Sequence, residues 1–76
     1  MVFDVALWQR WPSIETTSVL PEHVAVVDAP NAFTAVAGVM RWYRLCRVAH
    51  AAAMAQDGSI RYRACQVRLA ESWEVR

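Results

Sequence analysis

Apolar and polar positions alternate at the start of the chain. Phe3, Val5 and Leu7 fall on one side of an extended segment, with Asp4 and Ala6 on the other. That period of two predicts a half-buried strand over 2–11. Trp8 falls on the second side, so that side is either open or partly covered. Pro12-Ser13 marks a turn. Over 14–20, Ile14, Thr16, Thr17 and Val19 favour extended structure, a candidate strand that could pair back on the first. Pro21 breaks it. Residues 23–28 then read as a compact strand built on Val24, Val26 and Val27.

The period changes next. Phe33, Val36, Ala37, Met40 and Tyr43 recur at helical spacing, which predicts a helix over 30–45 with Asp28 as N-cap and Pro30 in the first turn. Gly38 inside it costs about 1 kcal/mol relative to alanine, and letting the helix sit close against a sheet is one use for it.

Asp57-Gly58 lies midway between two apolar runs, 46–56 and 59–69. Such a pair signals a β-hairpin with a two-residue type I′ turn, whose central residues both take positive φ. The alanines at 49, 51, 52, 53 and 55 also permit one helix from 30 to 56 with Gly58 just past its end. That helix would be more than twice the usual length of ~11–12 residues. It would also leave 59–69 without a partner strand, so the hairpin is the expectation. Residues 70–76 form a tail whose Trp73 docks on the body. The whole is a single α+β domain of two layers: a small antiparallel sheet of three or four strands with one main helix on one face.

The hairpin carries a register. Gln56 pairs with Ser59, so His50 faces Cys65, Val48 faces Val67, and Cys46 faces Leu69. Cys46 and Cys65 are then roughly 13 Å apart along the strands. A disulfide needs Cα atoms within about 7 Å, so they should stay free. Ile60, Tyr62 and Ala64 lie on one side and Cys65, Val67 and Leu69 on the other. A bulge near Cys65 would bring the two sets together.

Composition limits function. Seventy-six residues make one domain, and a core of this size nets only about 3–5 kcal/mol. With 57% hydrophobic residues, the chain holds more apolar side chains than so small an interior hides, so some should meet a partner. Net charge is +1, unevenly spread: residues 1–40 hold four acids against Arg10, and 41–76 hold seven arginines against three acids. There is no lysine. Abundant Ala, Val and Arg fit a GC-rich bacterial genome; selection for bidentate arginine contacts is the alternative. No stretch reaches the ~20 apolar residues of a membrane span, and the start lacks a signal peptide's pattern. Two cysteines then fit a reducing cytoplasm.

Four tryptophans in so small a chain (Trp8, Trp11, Trp42 and Trp73) point to an interface, since aromatic and arginine side chains anchor protein contacts. The expected function is therefore a small non-enzymatic interaction module, an accessory subunit or homo-oligomer using its sheet edge and Trp/Arg surface. The main alternative is a nucleic-acid-binding domain. Arg41, Arg44 and Arg47 lie near Trp42 and Tyr43, and Arg61 and Arg63 flank Tyr62, as phosphate contacts with base stacking require. A third reading places a metal or thiol site at His50 and Cys65, with His23 and Cys46 as further ligands, although no Cys-x₂-Cys knuckle exists. Only two glycines are present, so no phosphate loop forms. The carboxylates form no catalytic pair. Neither a catalytic residue nor a cofactor is expected.

Overall fold

A computed structural model describes residues 1–9 and 20–69. The element order is β1 (Val2–Trp8), β2 (His23–Asp28), α1 (Ala32–Trp42), β3 (Arg47–Ala55) and β4 (Ile60–Arg68). The strands form one antiparallel sheet in the order β2-β1-β3-β4. Both β2 and β3 run antiparallel to β1, so they are parallel to each other, and α1 makes the crossover between them. The helix packs on one face, giving the two-layer α+β architecture that the period changes imply. β1 ends at Trp8, so Gln9 is not part of the strand expected over 2–11; residues 10–11 of that strand, residues 14–19 of the candidate strand and the tail over 70–76 lie outside the described residues. Among the described residues no helix is long and apolar enough to cross a membrane.

Alternation in β1 builds the core. Phe3, Val5 and Leu7 are buried, and each sits between a β2 and a β3 residue: Phe3 between Val27 and Ala55, Val5 between Ala25 and Ala53, Leu7 between His23 and Ala51. The helix buries Ala32, Ala35, Val36, Val39 and Met40 against them, an i, i+3, i+4, i+7, i+8 stripe. Val36 and Met40 of the expected face are buried, and the rest of that face is corrected. Phe33 and Tyr43 are exposed, and Phe33 meets the Tyr62 ring edge-on at 5.8 Å. The cause is volume. Ala51 and Ala53 under the helix are fully buried and leave room for Val36, Val39 and Met40, and the bulkier Phe33 lies at the flank. The alanine run is therefore strand, as the hairpin requires.

Both helix ends differ from expectation. Asp28 is the last residue of β2, and its carboxylate holds the Met1 amine at 3.0 Å. The N-cap is Asn31, whose backbone is extended and whose Oδ1 accepts from the Thr34 N–H at 2.8 Å. At the other end Arg44 N–H donates to the Arg41 carbonyl and Leu45 N–H to the Met40 carbonyl, with Arg44 at φ 59°. That is a Schellman closure with arginine where glycine is usual, and it stops the helix at Trp42. Gly38 is exposed, and a Cβ built on it meets nothing within 4 Å, so close helix–sheet packing is not its role.

The β3–β4 turn is also corrected. Gly58 N–H donates to the Ala55 carbonyl and Ala55 N–H to the Ser59 carbonyl, and of the pair only Gly58 has positive φ, at 88°. The loop has three residues, with Gln56 and Asp57 central and Gly58 left-handed. Asp57 Oδ1 accepts from the Ser59 N–H and hydroxyl, which favours this form. A bulge between Ala53 and Met54 restores the expected pairing, and His50 faces Cys65 and Val48 faces Val67. That bulge turns Ile60 to the exposed side, opposite Met54, rather than joining Tyr62 and Ala64. Near Cys65 the ladder skips Ala49 and Gln66, and Gln66 takes φ 53°. Beyond this break Val48 and Val67 enter the core. A left-handed residue rather than an inserted one thus brings Val67 and Leu69 to the side of Tyr62 and Ala64, while Ile60 and Cys65 stay on the other. Neither Cys46 nor Cys65 is in a disulfide.

Candidate functional site: the open face of the sheet

The helix covers one side of the sheet, and the pleat sends every second residue to the other. From the register, three rows cross that open face beyond the end pair of Val2 and Asp28. Val26, Asp4, Met54 and Ile60 form one; Val24, Ala6, Ala52 and Arg63 the next; Trp8, His50 and Cys65 the third. Val26 is 69% exposed, Val24 59% and Ile60 57%, values that belong to surface side chains although all three are β-branched and apolar. Small Ala6 and Ala52 make a floor between taller neighbours. The result is a shallow hollow of about 580 Å³ whose wall includes Trp8, Val24, Val26, Met54 and Ile60, with Asp4 as its carboxylate.

One end of the face is built around His50. Its ring stacks on Trp8, with centroids 4.8 Å apart and planes 23° from parallel. Arg63 Nε donates to His50 Nε2 at 3.2 Å, so the imidazole is an acceptor there and carries its proton on Nδ1. Burial, and then the Arg63 charge, hold the His50 pKa below its ordinary value of 6.5.

The other residues singled out from the sequence are scattered. Trp42 is 80% exposed at the end of α1, where it lines a second hollow of about 450 Å³ with Gly38, Arg41 and Arg44. Trp11 and Trp73 lie outside the described residues. Arg47 stands opposite Arg68 at the start of β3. Arg61 is tied into the turn, 3.6 Å from Asp57 and bonded through Nε to the Ser59 hydroxyl. Tyr62 pairs with Ala53 on the helix side of the sheet, so Arg61, Tyr62 and Arg63 do not form one stacking surface. His23 lies on the helix side against Tyr43, with ring centroids at 4.5 Å, while His50 is on the open face. Among the described residues no three His, Cys, Asp or Glu side chains gather as a metal site. His23, Cys46, His50 and Cys65 are not brought together as a set; only His50 and Cys65 are ladder neighbours.

Sequence reasoning missed Val24, Val26, Met54 and Ile60 as a surface. A signal was present in β2, where Val24 and Val26 are apolar on one side and Ala25 and Val27 on the other. A strand apolar on both sides is one that expects cover on both.

Compared with known protein families, curated proteins and solved structures, the chain matches none of them.

Proposed function

We propose that this chain is a small non-enzymatic interaction module that works through the open face of its sheet. The observation that carries the reading is the exposed apolar field of Val24, Val26, Met54 and Ile60 around the Ala6–Ala52 floor. Contiguous apolar surface of this kind, with an aromatic anchor at its end, is what protein contacts use. The face is better suited than the β2 edge. At the β2 edge the Tyr43 hydroxyl already donates to the Val24 carbonyl at 3.0 Å, which occupies a group an added strand would need. The test is photo-crosslinking in cells from a benzophenone side chain at position 26, with position 34 on the helix as control. Adducts to a protein from 26 and not from 34 support the reading. Equal yields, or none from 26, sink it.

A second reading rests on the hollow at the end of α1. There Arg41 and Arg44 flank the exposed Trp42 ring, an arrangement that suits a phosphate backbone with a stacked base. Single-stranded RNA and DNA should then bind most tightly at low salt and lose affinity in Trp42→Ala. No binding at low salt removes this reading.

A further inference from the structure

We infer that the occupant of the open face is a second copy of this chain, packed face to face about a two-fold axis. The inference rests on the open-face reading above and adds the identity of the partner.

Charge argues for it. Within the three rows the ionised side chains are one acid, Asp4, and one base, Arg63; Asp28, in the end pair, is already held by the Met1 amine. Among the described residues neither Asp4 nor Arg63 has an ion-pair partner. They stand on strands two places apart and one row apart, about 12 Å between Cα positions. A partner surface of a single sign would satisfy one of them and repel the other. A second copy offers each its opposite, twice over, because in a two-fold interface residue i meets j and j meets i. Pairing Asp4 with the other copy's Arg63 also fixes the geometry. The axis runs in the interface plane over β3, between Ala52 and Met54, near the middle of the face. The strands of the two sheets then cross at roughly 70°, closer to the orthogonal packing class than to the aligned one.

Size agrees. Four strands about 4.8 Å apart and some seven residues long give a face of roughly 450 Å² in projection. Accessible area follows the relief of the side chains and exceeds the projection, which brings it toward the ~800 Å² that each partner contributes to a standard interface. The face is large enough for one such partner and too small for more. Stacking two copies makes a four-layer helix–sheet–sheet–helix particle whose inner layer is the apolar field.

Sedimentation velocity over a concentration series, with charge reversals, tests this. The wild type should sediment as a dimer. Asp4→Arg and Arg63→Asp alone should each weaken it at least about tenfold, by setting like charges together in both symmetry-related pairs. The double variant Asp4→Arg/Arg63→Asp restores opposite charges and should recover the dimer. Isotope-filtered NOEs in a half-labelled wild-type sample, from the Val24, Val26 and Met54 methyls to the other copy, require no variant and keep the test open if a reversal misfolds. A wild type that stays monomeric at high concentration overturns the proposal. So does a dimer that neither single variant weakens and that shows no such NOEs. Crosslinks from position 26 to a different protein, with a monomeric wild type, would remove the second copy and leave the interaction reading standing. No crosslink from position 26 removes both.

Discussion

His50 and Trp8 stack with ring centroids 4.8 Å apart on the face of the sheet that the helix leaves open. The contact joins β3 to β1 directly across the ladder, where Trp8 pairs with His50. It buries an imidazole that Arg63 approaches from β4, and so makes the ring's protonation part of the fold's stability.

That coupling has a definite sign. Burial and the Arg63 charge lower the His50 pKa in the folded chain, whereas the unfolded chain takes up the proton near the ordinary 6.5. Above 6.5 both states are neutral and the Arg63–His50 bond contributes fully. As the pH falls below 6.5 the unfolded state binds the proton first, and stability is lost down through the folded pKa. Urea unfolding at about pH 7.5 and about pH 5 should show a drop in the wild type that is smaller in His50→Gln. An equal drop in both would remove His50 as its cause.

Gly38→Ala should stabilise the protein by about 1 kcal/mol. The position is exposed in mid-helix, and an added Cβ meets nothing within 4 Å. Thermal unfolding gives the answer, and a loss of stability would mean that the glycine has a packing role after all.

Two left-handed residues should respond in opposite ways. Arg44 closes the helix at φ 59° and bears the cost of a side chain in that conformation, so Arg44→Gly should gain about 1 kcal/mol. Gly58 occupies φ 88° in the hairpin loop, so Gly58→Ala should lose about 1 kcal/mol. Chemical denaturation of the two variants side by side checks the pair.

Leu7→Ala removes a fully buried side chain between His23 and Ala51. Large-to-small changes of this kind cost about 2–5 kcal/mol, comparable to the whole stability of a domain this small. The variant should be largely unfolded by circular dichroism at room temperature. Ala6→Ser, one residue away on the open face, should remain folded.

The local signals in the chain were clear where one period dominates. Phe3, Val5 and Leu7 specify β1 and its buried side, because a strand sends alternate residues to opposite faces. The change to helical spacing after Pro30 places a helix, and Asp57-Gly58 places a hairpin whose register over Arg47–Ala53 follows from counting outward. Signals failed where two local solutions have similar energies. Asp28 and Asn31 can both cap a helix; the Met1 amine engages the first and leaves the second. A two-residue and a three-residue turn both use Asp-Gly, and the Ser59 bonds to Asp57 favour the longer loop.

The open face was the least legible part. Val24, Val26, Met54 and Ile60 come from three strands, and adjacency among them exists only once β1 lies between β2 and β3 and a bulge has turned Ile60 outward. The Trp8–His50–Arg63 cluster likewise draws one residue from each of three strands.

Over the described residues the sequence by itself determined the kind and order of the elements and the side of β1 that is buried, because hydrophobic period and turn chemistry act over a few residues. Tertiary structure decided the strand order, the helix face and the surface left uncovered. Those depend on volume: alanines on β3 leave room for the Val36, Val39 and Met40 side of α1, and a single helix can cover only one face of a four-stranded sheet.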